Sequence, residues 1–90
     1  MSYKVEFSRQ GEKDLRRLDK VILGRLRTRI DELAQDPFNP RISRQMETDP
    51  NRRYSRVGDW RIVFQVIEEQ RVIEVSIIQH RSRVYKELKR

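Results

Sequence analysis

A chain of 90 residues, 36% apolar and 39% charged, is sized for one globular domain over residues 1–90 with a modest core. It has no cysteine and one histidine, which excludes a disulfide framework and a cysteine-based zinc site and leaves no common metal site; no metal and no cofactor are expected. No apolar run is long enough to span a bilayer and the N-terminus lacks an apolar signal core, so no membrane partner is expected and a cytoplasmic location is the natural reading.

The net charge of +7 is unevenly spread. Residues 1–40 carry 9 Lys/Arg against 7 Asp/Glu, while residues 41–90 carry 12 against 7, and 10 of those 12 are Arg. Arginine pairs phosphate oxygens bidentately and stacks on bases. The charge therefore points to a polyanion, or equally to an acidic protein partner.

Tyr3, Val5 and Phe7 alternate with polar residues, which predicts a short strand with one buried face. Ser8 is placed to cap a helix over residues 9–18, a thin one with Leu15 and Leu18 on its apolar side and Gly11 as a weak point. Asp19 caps a second helix over residues 20–35, where Ile22, Leu26, Ile30 and Leu33 follow helical spacing. The short connection predicts an antiparallel helix hairpin. Pro37 ends it, and residues 41–52 read as polar and irregular, with a turn at Asp49-Pro50-Asn51.

Three strands follow. Residues 53–57 and 60–67 flank Gly58-Asp59, a two-residue hairpin signal, and residues 71–78 or beyond form the last strand after a turn near Glu68-Glu69-Gln70. Residues 83–90 read as a short helix or a frayed end. The fold class is α+β, in the order β-α-α-β-β-β: an antiparallel sheet with the helix hairpin on one face and the other face uncovered.

That open face is where a ligand could lie. Trp60, Ile62, Phe64 and Val66 form an apolar set that should meet the helices, and Trp60 and Phe64 read as core rather than as base-stacking residues. Arg61 then points to the open side, joined by Tyr54 and Arg56. Strict alternation along the last strand puts His80 with Arg61 and Arg81 on the helix side. A buried unpaired Arg is so unfavourable that the strand is expected to bend or end near Gln79, leaving either residue free to reach the cleft. Arg41, Arg44, Arg52 and Arg53 read as solvated charge or phosphate contacts.

The run Arg56-Val57-Gly58-Asp59-Trp60-Arg61-Ile62-Val63-Phe64, with the terminal His80-Arg81-Ser82-Arg83-Val84-Tyr85, resembles the RelE/ParE superfamily of toxins from type II toxin–antitoxin modules. The resemblance covers nearly the whole chain and includes the first strand and the helix hairpin. It implies a microbial ribonuclease-like fold and, in the RelE branch, ribosome-dependent, metal-independent cleavage of messenger RNA by attack of a ribose 2′-hydroxyl on the adjacent phosphate.

Carried over residue by residue, Arg61, Arg81 and Tyr85 take the catalytic positions and Arg56 a basic strand position. Tyr54 stands where a further basic residue is common, with Arg53 and Arg83 as additional RNA contacts. Arg cannot act as a base, so Arg61 and Arg81 are charge stabilisers. His80 is the one side chain that titrates near neutrality unperturbed, whereas the family pattern favours Tyr85; acid and base roles stay open between them. The partners implied are a cognate acidic antitoxin, in a toxin–antitoxin heterotetramer, together with the ribosome and mRNA. The rival implied by the same resemblance is a ParE-type inhibitor that acts on DNA gyrase by protein contact, or an inactive binding module.

Overall fold

The computed structural model describes residues 2–82. The elements run β1 (Lys4–Phe7), α1 (Arg9–Arg16), α2 (Lys20–Gln35), β2 (Arg44–Gln45), β3 (Arg53–Val57), β4 (Trp60–Ile67) and β5 (Val72–His80), with a 3-10 turn at Glu68–Gln70. Arg83, Tyr85 and the C-terminal helix expected over 83–90 lie outside the described residues.

Both predicted caps form. Ser8 Oγ accepts from the Gly11 amide at 3.0 Å, and Asp19 Oδ1 accepts from the Ile22 amide at 2.9 Å. Leu26, Ile30 and Leu33 of α2 bury against Ile62, Phe64, Ile73, Val75 and Ile78 of the sheet, and Leu15 and Leu18 join from the α1 side. The helix hairpin thus covers one sheet face, as the apolar spacing requires. Gly11 is not a blemish: a Cβ there would stand 2.4 Å from the Val75 carbonyl oxygen, so the glycine lets α1 close onto β5.

The five strands are ordered β1-β5-β4-β3-β2. The expectation of a purely antiparallel sheet needs correction, because β1 pairs parallel to β5, with Val5 opposite Ile73 and Phe7 opposite Val75. A parallel neighbour needs a long crossover, and the helix hairpin with the strands after it supplies one. The segment 41–52 is also less irregular than its composition predicts. Arg44 and Gln45 form an edge strand on β3, opposite Tyr54 and Arg53. The β3–β4 hairpin turns on Gly58, at φ +59°, the left-handed geometry that its sequence signals.

One irregularity decides which side chains reach the site. In the β4–β5 ladder, Val63 faces Ile77 but Phe64 faces Val75, so Ser76 is an extra residue. Such a bulge shifts the alternation by one. Ile73 and Val75 face the helices before it, and Ile78 faces them after it.

Candidate functional site

The open face of β3 and β4 presents Tyr54, Arg56, Arg61 and Val63. Arg56 pairs directly with Arg61, and Tyr54 with Val63. Two guanidinium groups opposite one another repel. The Arg61 guanidinium carbon sits 4.5 Å from the Tyr54 ring centroid, a diagonal cation–π contact. Neither Arg56 nor Arg61 has a carboxylate partner among the described ion pairs.

A cavity of about 810 Å³ lies over this surface. Val63 is buried at its floor, and Arg61, Tyr54 and Gln79 rise from the sheet around it. Residues 43–48 form its outer wall. That wall is tied down by the Met46 amide on the Arg52 carbonyl at 3.0 Å and by Gln45 Nε2 on the Pro50 carbonyl at 2.8 Å. Arg53 stands at the rim. Its Nε donates to Ser43 Oγ at 2.7 Å and its guanidinium carbon lies 5.1 Å from the Phe38 ring centroid. Glu47 carries the one carboxylate in the lining.

The two residues at the end of β5 part company, in the reverse of strict alternation. His80 faces the helices, because the bulge at Ser76 has shifted the strand by one. Its ring meets Trp60 edge-on, with centroids 5.1 Å apart, and it lines two smaller cavities with Asp14 and Leu18 of the α1 side and Ile22 and Arg25 of α2. The expectation that it shares a face with Arg61 is therefore corrected. The strand also does not end near Gln79 but continues to His80. Arg81 follows at the hairpin turn: its amide donates to the Asp59 carbonyl at 2.7 Å and its Nη1 lies 3.8 Å from Asp59 Oδ1. Both side chains of that ion pair are more than 60% exposed, so it holds Arg81 only loosely.

The geometry thus brings Arg56, Arg61 and Tyr54 together, puts Arg53 at the rim, sets Arg81 beside the turn and turns His80 away. Arg44 and Glu47 are additions that the sequence reading did not place in the site. A two-residue strand is too short to show a period, and only its pairing with β3 reveals which way they face.

The sequence model of the family "ParE toxin of type II toxin–antitoxin system, parDE" matches residues 5–85. The chain belongs to the ParE toxin family of type II toxin–antitoxin systems.

Relatives of this toxin carry both branch names. A RelE-like toxin protein of Escherichia coli is 29% identical to it over 83 residues, spanning 92% of this chain and 87% of that protein. The isolated E. coli RelE toxin superposes with a TM-score of 0.79 at 24% identity, over 97% of this chain and 95% of that one, which establishes a shared fold. The archaeal RelE of the RelE–RelB complex from Pyrococcus horikoshii superposes with a TM-score of 0.72 at 28% identity, over 92% of this chain and 99% of that one. The RelE/ParE resemblance and the α+β architecture read from the sequence are both shown. Among the described residues, no helix is long and apolar enough to cross a membrane.

Proposed function

We propose that this toxin is a messenger RNA endoribonuclease of the RelE type, acting on RNA presented by the ribosome. The observation that carries the reading is the pairing of Arg56 with Arg61 on an uncovered sheet face, without carboxylate partners, at the floor of an open cavity. Such a pair is satisfied by an anion whose charge grows in the transition state, as it does on the phosphorane of 2′-hydroxyl attack. Arg81, at the adjoining turn, is within the same hairpin and supplies a third cation. The attacking hydroxyl needs a proton acceptor, which no arginine can be. Glu47 in the cavity wall takes that role, because His80 faces the helices. Tyr54 offers Arg61 a flat support and a base a stacking surface.

An acidic antitoxin fits the same face by charge, and the P. horikoshii relative is itself seen in a RelE–RelB complex. A ParE-type action on DNA gyrase is the second reading. It is favoured by the family match and by the presence of Tyr54 where a basic residue is common.

One experiment separates the two. Purified toxin is added to translating ribosomes and message ends are mapped, with wild type, Arg61→Ala and Glu47→Gln compared; a supercoiling assay with DNA gyrase runs beside it. Cleavage by wild type that falls in both variants supports the nuclease. Intact message together with lost supercoiling moves the assignment to the gyrase reading.

A further inference from the structure

A second cavity, of about 350 Å³, opens at the β2–β3 edge and is lined by Arg29, Arg41, Arg44, Arg56 and Tyr54. No carboxylate lines it. The one carboxylate nearby belongs to Glu32, 3.1 Å from Arg29 Nε. Four guanidinium groups less that carboxylate leave +3 around a small recess.

Arg29 is built into the site rather than loose on a helix. Its side chain is 23% exposed, and its Nη1 donates to Ser55 Oγ at 2.9 Å and to the Arg56 carbonyl at 2.7 Å. α2 thus delivers a fixed guanidinium through the sheet edge. Arg41, Arg44 and Arg56 have no carboxylate partner among the described residues. Convergent cations with one fixed member are a site for phosphate oxygens, which arginine pairs in a fork. The volume is at the lower end of small-ligand sites, about 300–1,000 Å³, and suits one phosphate with its sugar.

Ser43, Arg44 and Tyr54 line both this recess and the larger cavity. The two therefore share a wall, and a strand lying in the larger one can cross Tyr54 into the smaller. We propose that the arginine recess is a second phosphate site, which takes the backbone of single-stranded RNA beyond the nucleotides held over Arg61. The proposal rests on the nuclease reading and deepens it: the toxin grips a longer stretch of strand than the one it cuts.

The test is fluorescence anisotropy on the intact toxin with 2′-O-methylated RNA, which cannot be cleaved, as a trinucleotide and as a nonanucleotide. Arg41 is exposed and makes no described side-chain contact, so Arg41→Gln folds normally. The expected result is a loss of about five- to tenfold in nonanucleotide affinity and no change for the trinucleotide. The salt dependence of nonanucleotide binding also falls, by about 0.7 in log–log slope.

Arg61→Ala provides the control. If it weakens both lengths while Arg41→Gln weakens neither, the second site is overturned and the nuclease reading stands. If neither variant changes RNA binding, both fall. If Arg41→Gln spares RNA but weakens binding of the acidic antitoxin, the recess belongs to a protein and the proposal is overturned.

Discussion

The Arg61 guanidinium lies over the Tyr54 ring, 4.5 Å from its centroid, on a sheet face where Arg56 stands directly opposite Arg61. The ring does for Arg61 what a carboxylate would do elsewhere. It restrains the side chain and partly offsets the repulsion, yet leaves the cation's charge for a ligand. A tyrosine at this position is thus compatible with a working cationic cleft.

The nuclease reading gives this contact a graded consequence. Tyr54→Phe keeps the ring and should leave message cleavage within about twofold. Tyr54→Ala frees Arg61 and should lower cleavage by about two- to tenfold, the range set by ~0.5–1 kcal/mol for an exposed cation–π contact plus lost stacking. Arg61→Ala should cost about 100- to 1,000-fold, as for removal of one preorganised charge stabiliser. Single-turnover cleavage on programmed ribosomes checks all three. A loss in Tyr54→Phe equal to that in Tyr54→Ala would make the hydroxyl, not the ring, the working group.

The two helical glycines should respond in opposite directions to the same substitution. At Gly11 an added Cβ meets the Val75 carbonyl oxygen at 2.4 Å, and the oxygen belongs to the central part of the sheet. Gly11→Ala therefore has to push α1 away from β5, at a cost of about 1–3 kcal/mol. At Gly24 nothing lies within 4 Å, so Gly24→Ala gains helix propensity and stabilises by up to ~1 kcal/mol. Urea denaturation of both variants measures the difference.

Tyr3 ties the start of β1 to the β4–β5 connection. Its hydroxyl donates to Glu68 Oε1, and the Arg71 guanidinium carbon lies 4.2 Å from its ring centroid. The hydrogen bond to Glu68 is the main cause that raises the phenol above its ordinary value of 10.0; slight desolvation adds to it and the charge of Arg71 opposes it. A raised value in the folded state means that the folded protein holds this proton more tightly than the unfolded chain. The resulting stability is complete below pH 10.0 and is lost as pH rises through the raised folded value. Thermal melts across the alkaline range should show a decline that Tyr3→Phe makes shallower, with the variant less stable than wild type at neutral pH. Parallel declines in the two proteins would refute the assignment.

Much of the fold is legible in the residue pattern because the main elements obey one period each. The α2 stripe, the alternation from Trp60 to Val66 and Gly58 at positive φ all appear as their sequence signals require. The misplacement of His80 has one cause, the extra residue at Ser76. No glycine or proline marks that bulge, since its backbone is satisfied by tertiary contact: Ser8 Oγ donates to the Ser76 carbonyl at 2.8 Å. Arg29 was equally hidden. On a helix it reads as solvated charge, and only the sheet packed beneath it turns it towards Ser55. The parallel pairing of β1 with β5 was out of reach for a related reason, because alternation sets which face is buried but not which neighbour pairs.

Asp14 offers the sharpest test of how the cleft end of β5 is held. β1 ends at Phe7, so beyond Val75 that edge of β5 has no strand partner. The α1 region takes over: the Ser8 amide donates to the Val75 carbonyl at 2.9 Å, and Asp14 Oδ2 accepts from the Ile78 amide at 2.9 Å. Asp14 is buried, and its other oxygen accepts from Gln10 Nε2 at 2.8 Å. Asp14→Ala leaves the Ile78 amide buried without an acceptor, at about 1–3 kcal/mol. For a domain of this size that lowers Tm by roughly 4–8 °C per kcal/mol. Asp14→Asn keeps an acceptor oxygen and should recover part of the loss. Amide exchange locates the effect, with Ile78 losing protection more than Ile62 on the neighbouring strand. Trp60 fluorescence adds a second readout, because Ile78 precedes by two residues the His80 ring that packs on Trp60. Equal loss of protection at Ile62 and Ile78 would mean that Asp14 supports the domain as a whole; a loss confined to Ile78 and its neighbours would make it the brace of the strand end that carries Arg81 to the hairpin turn.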